Sequence, residues 1–214
     1  FLPGELSLEP NESYCSPTLY GASTQSGLSS LSQCFHRYIR SHIRDSRCTE
    51  KPRPVHFNTW EAMYFDLSLE RLCTLADEAA AVGAERFVLD DGWFENRRSD
   101  SAGLGDWFVD ETVFPQGLSP LIDHVQAKGM EFGLWVEPEM VNPDSDLYRA
   151  HPDWILSAGS GLGSVPLLLA RNQLVLDLTR PEVEDYLFNC IDGLLSQYAI
   201  SYLKWDMNRA LYQP

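Results

Sequence analysis

The chain has 214 residues, 44% hydrophobic and 12% aromatic, with 16 basic against 31 acidic side chains for a net charge of -15. That composition supplies a core and excludes disordered, collagen-like and low-complexity architectures. A surface so negative repels phosphate backbones and anionic lipids, so neither nucleic acid nor a membrane is an expected partner. The five cysteines, Cys15, Cys34, Cys48, Cys73 and Cys190, are scattered without CxxC spacing. They suggest no zinc site or disulfide framework, and reduced thiols fit a cytoplasmic compartment.

Residues 1–30 are rich in Ser, Pro, Gly and Thr, with strand-like pieces such as SPTLYGAS, and read as the edge of a β-rich module. From 28 to 47 the period turns helical, with Leu28, Leu31, Phe35 and Ile39 on one stripe. Arg37, Arg40, Arg44 and Arg47 line a neighbouring stripe, read as a solvated face of an acidic protein. The Pro-flanked segment CTEKPRP (48–54) is the best domain boundary.

Beyond it, apolar strands at 53–62, 85–94, 131–140, 172–180 and 199–208 alternate with helical patterns at 67–83, 118–129, 144–152 and 181–198. Continuous apolar strands between helices imply parallel strands buried on both faces. A (β/α)8 TIM-type barrel takes about 250 residues. The expectation is therefore an α/β fold of that type, truncated after about strand 5. An open doubly wound sheet is the alternative, but no Gly-rich phosphate loop follows the first strand.

Strand ends in such a fold carry the chemistry. Here they hold Asn58-Thr59-Trp60-Glu61, Asp90-Asp91-Gly92-Trp93, Trp135-Val136-Glu137-Pro138-Glu139, Asp177 and Lys204-Trp205-Asp206-Met207-Asn208. There is no His or Cys cluster for a metal and no G-x-S-x-G elbow, so no metal or other cofactor is expected. Carboxylates with tryptophans suit a neutral, hydroxyl-rich ligand, and paired carboxylates are the machinery of glycoside hydrolysis. Lys204 precedes Asp206 by two residues, the same-face spacing on a strand, which predicts a cation beside an ionised nucleophile. A structural ion pair at the barrel rim is the alternative. Asp90 and Asp91 would both be satisfied by a ligand offering two hydroxyls, or would belong to a turn or helix cap. Glu137 and Glu139 are each open to a catalytic or a hydrogen-bonding role.

The segments NTWEA, VLDDGWF, GLWVEPEM, RNQLVLDLTRP and LKWDMNR, in that order, resemble the microbial α-galactosidases of glycoside hydrolase family 36. The resemblance implies a retaining α-galactosidase acting on galactose-containing oligosaccharides such as raffinose, melibiose and stachyose. It implies Asp206 as the nucleophile and Asp90 and Asp91 as the readers of the galactose 4- and 6-hydroxyls. Trp135, Arg171, Lys204, Trp205, Asn208 and Trp60 are implied as further substrate-binding residues. FHRYIRSHI is similar to the family's junction, so 1–50 is expected to be the tail of an N-terminal β-sandwich domain with a connecting helix. Residues 51–214 are then an incomplete catalytic barrel of a homo-oligomeric parent. The family's general acid/base is an Asp expected beyond Pro214, which implies an isolated fragment without activity. A galactosyltransferase of the raffinose or stachyose synthase type, and a non-catalytic sugar-binding remnant, are the alternatives.

Overall fold

The computed structural model describes residues 7–43, 52–157 and 169–211, divided into two compact units at Arg53–Pro54. In the first unit a helix, α1 (Gly27–Tyr38), continues as a π-helical turn over Ile39–Ile43. The strand-like SPTLYGAS forms no strand: Leu19 and Tyr20 are exposed. An extended segment needs a neighbouring strand to satisfy its backbone, and none pairs with it among the described residues. Arg44 and Arg47 of the arginine row, and Cys48, lie outside the described residues. Arg37 and Arg40 do sit on α1 and the turn that extends it.

The second unit is built on a parallel sheet of β1 (His56–Asn58), β2 (Arg86–Leu89), β3 (Glu131–Val136) and β6 (Tyr202–Trp205), in that spatial order. The registers run Asn58 to Val88, Val88 to Gly133 and Gly133 to Tyr202, so the C-terminal ends share one edge of the sheet, with β3 and β6 extending beyond β1 and β2. A short helix, α2 (Trp60–Met63), follows β1, and helices α3 (Leu69–Ala81), α4 (Ser119–Ala127) and α6 (Pro181–Gln197) form the crossovers. Ser68 starts α3 because its hydroxyl accepts from the Arg71 N–H. Leu72, Ala76 and Ala79 of α3, Leu121 and Val125 of α4, and Val183 and Leu187 of α6 join Phe87, Leu89, Phe132 and Leu134 of the sheet in one core. Each fully buried Leu or Phe contributes about 1.5–3 kcal/mol of apolar transfer.

The structure corrects one expected strand. The segment 172–180 does not enter the parallel sheet. Its Leu174–Val175 (β5) pairs antiparallel with Met140–Val141 (β4), outside the sheet. The long excursion between β3 and α6 also holds α5 (Asp146–Ala150). The four described sheet strands therefore belong to four βα steps rather than five. Periodicity alone could not separate the two, because a two-residue pairing buried by its surroundings is as apolar as a barrel strand.

Candidate active site

The C-terminal strand ends, on one edge of the sheet, bring the carboxylates together. At β2 the chain stops being a strand at Asp90, and Gly92 (φ +105) turns it sharply away. A Cβ there would sit 3.3 Å from Leu67 Cδ1, so glycine is what lets the Asp-Asp pair end a strand. Asp90 Oδ2 accepts from Asn58 Nδ2 and from Lys204 Nζ, both at 2.6 Å, and Oδ1 accepts from the Asp91 N–H. Thr59 Oγ1 accepts from the Asp90 N–H at 3.0 Å. The guanidinium of Arg97 forks onto Asp91, Nε to Oδ1 at 2.9 Å and Nη2 to Oδ2 at 2.8 Å. Burial pushes the Asp91 carboxyl up, and the Arg97 fork opposes it. Arg97 Nη1 donates onward to Asn142 Oδ1, and Asn142 Nδ2 donates to the Asn172 carbonyl at 2.7 Å.

A carboxylate offers roughly four acceptor sites. Asp90 uses three and Asp91 two, so the pair keeps open capacity for hydroxyl donors while both groups stay fixed.

Asp206 follows β6. Its Oδ2 accepts from Trp135 Nε1 at 3.0 Å and from Asn208 Nδ2 at 2.9 Å, and Oδ1 accepts from the Met207 N–H. Partial burial pushes this carboxyl up. The three donors and the Lys204 charge outweigh that and hold it below the usual carboxylate range. Trp135 is in turn held from behind, since buried Trp93 donates its indole N–H to the Trp135 carbonyl at 2.9 Å. Glu137 accepts from the Asn208 N–H and from Gln173 Nε2, and burial pushes its carboxyl up.

These groups line one cavity of about 310 Å³. Of the residues expected from sequence, Asp90, Asp91, Trp135, Arg171, Lys204, Asp206, Asn208 and Trp60 all border it. Trp60 stacks edge-on against Phe65, also on the wall. Arg171 sits at a left-handed φ of +54 in the turn leading into β5, and its guanidinium reaches the Asn208 carbonyl at 3.5 Å. Trp205 is different. Its ring, 55% exposed, lies on the opposite side of β6, where the indole N–H donates to Glu139 and the ring lines an apolar groove with Leu187 and Phe188. Lys204 hydrogen-bonds Asp90 and acts on Asp206 through its charge.

Sequence reasoning missed Arg97. Its neighbour Arg98 is of the same type and instead pairs with Asp110 outside the cavity, so only the three-dimensional loop distinguishes them. Gln173 was missed for the same reason. Among the described residues no group of three or more His, Cys, Asp or Glu side chains could hold a metal ion.

The melibiase family model matches residues 13–214. The chain belongs to the melibiase family. It is 49% identical to an α-galactosidase of Escherichia coli over 214 residues, which is all of this chain and 29% of that protein. Among solved structures it resembles the α-galactosidase AgaB of Geobacillus stearothermophilus, of glycoside hydrolase family 36, with a TM-score of 0.83 and 45% identity over 89% of this chain and 26% of that one. It also resembles a variant of AgaA from the same organism, in complex with raffinose, with a TM-score of 0.81 and 44% identity over 87% of this chain and 26% of that one. The melibiase-family chain thus spans under a third of the length of these relatives.

Proposed function

We propose that the protein carrying this chain is a retaining α-galactosidase that releases terminal galactose from oligosaccharides of the raffinose and melibiose type. The observation that carries the reading is Asp206, a carboxylate held ionised by Trp135, Asn208 and the Met207 N–H at the wall of a cavity it shares with Asp90 and Asp91. Family membership and the raffinose complex of the AgaA relative support the substrate class.

In the first step a carboxylate oxygen of Asp206 attacks the anomeric carbon. The bond to the leaving oxygen breaks, and that oxygen takes a proton from a carboxylic acid. In the second step water attacks the glycosyl ester, its proton returns to that acid, and Asp206 leaves as carboxylate. The proton donor of a retaining enzyme stands about 5–5.5 Å from the nucleophile. We assign it to a carboxyl outside the described residues. Asp90, Asp91 and Glu137 have both oxygens committed to donors, and Asp100 stands exposed at the cavity mouth.

Asp90 and Asp91 take the 4- and 6-hydroxyls, Lys204 fixes Asp90, and Trp135, Trp60, Arg171 and Asn208 complete the sugar subsite. Residues 1–50 fit the tail of a β-sandwich domain with its connecting helix, in a homo-oligomeric, cytoplasmic protein. The four described cysteines are free, and among the described residues no helix is long and apolar enough to cross a membrane. The test is to follow hydrolysis of an aryl α-galactoside by proton NMR, using the protein as its gene encodes it in full. α-Galactose as the first product supports the reading, and β-galactose or no hydrolysis contradicts it.

A further inference from the structure

Glu137 is 1% exposed and lies two residues beyond Trp135. One carboxylate there joins three elements. Through its own backbone it follows β3, whose Val136 carbonyl accepts from the Asp206 N–H at 2.8 Å. Through Oε2 it accepts from Gln173 Nε2 at 3.1 Å, at the base of the turn that carries Arg171. Through Oε1 it accepts from the backbone N–H of Asn208, whose side chain donates to Asp206. We infer that Glu137 is a positioning residue for the nucleophile, fixing the Asp206–Asn208 turn and the Arg171 turn in one register against the end of β3. This rests on the role proposed above for Asp206.

A second observation sets the expected behaviour of variants. Gln173 Oε1 is buried and has no hydrogen-bond partner among the described residues. In Glu137→Gln the remaining carbonyl still accepts from the Asn208 N–H, and the new amide donates to Gln173 Oε1 once the Gln173 amide turns over. The network survives and only the charge is lost. In Glu137→Met the volume is filled but both acceptors vanish, leaving the Asn208 N–H without its partner.

The charged groups that share the cavity with Asp206 are Lys204 on β6, Glu137 after β3, Arg171 from the turn before β5, and Asp90, Asp91, Arg97 and Asp100 from the end of β2 and the loop after it. Removing the Glu137 charge makes Asp206 easier to ionise.

The experiment compares both variants with the native protein, encoded in full, on an aryl α-galactoside, with thermal melts to confirm folding. Glu137→Met is expected to lose about 10²-fold in kcat with little change in KM, the scale of a misaimed reacting group. Glu137→Gln is expected to keep kcat within about fivefold of native and to move the acidic limb of kcat/KM to lower pH. Native-like kcat in Glu137→Met, or a Glu137→Gln as impaired as the Met variant, overturns the inference. Should the Met variant not fold, the pH profile of Glu137→Gln decides alone, and an unshifted limb overturns it. A native protein that releases no galactose overturns the reading of Asp206 instead, so the two failures are distinct.

Discussion

Lys204 Nζ donates to Asp90 Oδ2 at 2.6 Å, across the sheet from β6 to the end of β2. Lys204 therefore serves Asp90, the proposed reader of a sugar hydroxyl, directly and reaches Asp206, the proposed nucleophile, through its field. Replacing Lys204 with Met leaves Asp90 short of a charged donor. A hydrogen bond to a charged group contributes about 1.5–3 kcal/mol, so kcat/KM should fall roughly 10- to 100-fold. Steady-state kinetics check this, and an unchanged kcat/KM would refute it.

The Arg97–Asp91 pair is buried, with side-chain exposures of 2% and 9%. Arg97→Met strands an unpaired carboxylate and an open Asn142 acceptor, which should destabilise the fold by about 3–5 kcal/mol. Arg97→Lys should recover little, because one ammonium cannot reproduce the two parallel bonds to Asp91. Denaturant unfolding of the three proteins makes the comparison.

The pH dependence follows from Asp206. Its folded value lies below the ordinary one, so its contribution to stability is present above the unfolded value and is lost as pH falls through the folded value. In the proposed reaction the same shift keeps Asp206 ionised to lower pH than an ordinary aspartate. Trp135→Phe removes the indole donor, so the acidic limb of kcat/KM should move to higher pH. A limb that stays in place would mean the indole does not set the ionisation.

Much of this was legible in the sequence, and the failures have physical causes. Continuous apolar runs and period-3.6 patterns located the four sheet strands and the helices between them, since burial on both faces leaves strands apolar throughout. The segment 172–180 misled because the β4–β5 pair is buried just as a sheet strand is. Strand alternation already puts Lys204 and Asp206 on one face and Trp205 on the other, so the exposed ring of Trp205 obeys the pleat, whereas the family resemblance had grouped all three. Arg97 was invisible because its partner is chosen by a loop, not by a repeat.

The two tryptophans give a direct contrast. Trp205→Phe should leave KM for an aryl α-galactoside within about twofold of native, because its ring borders the groove with Leu187 and Phe188. Trp135→Phe should lower kcat/KM by about tenfold or more through the lost bond to Asp206. Equal effects at both positions would argue against the facing described for β6.

The most direct test of the central claim is covalent trapping with a 2-deoxy-2-fluoro-α-galactosyl fluoride, followed by peptide mass mapping of the full protein. A single fluorogalactosyl adduct on Asp206, absent from Asp206→Asn, is the predicted result. An adduct on Asp90, Asp91 or Glu137, or none from a protein that hydrolyses the aryl galactoside, would contradict it.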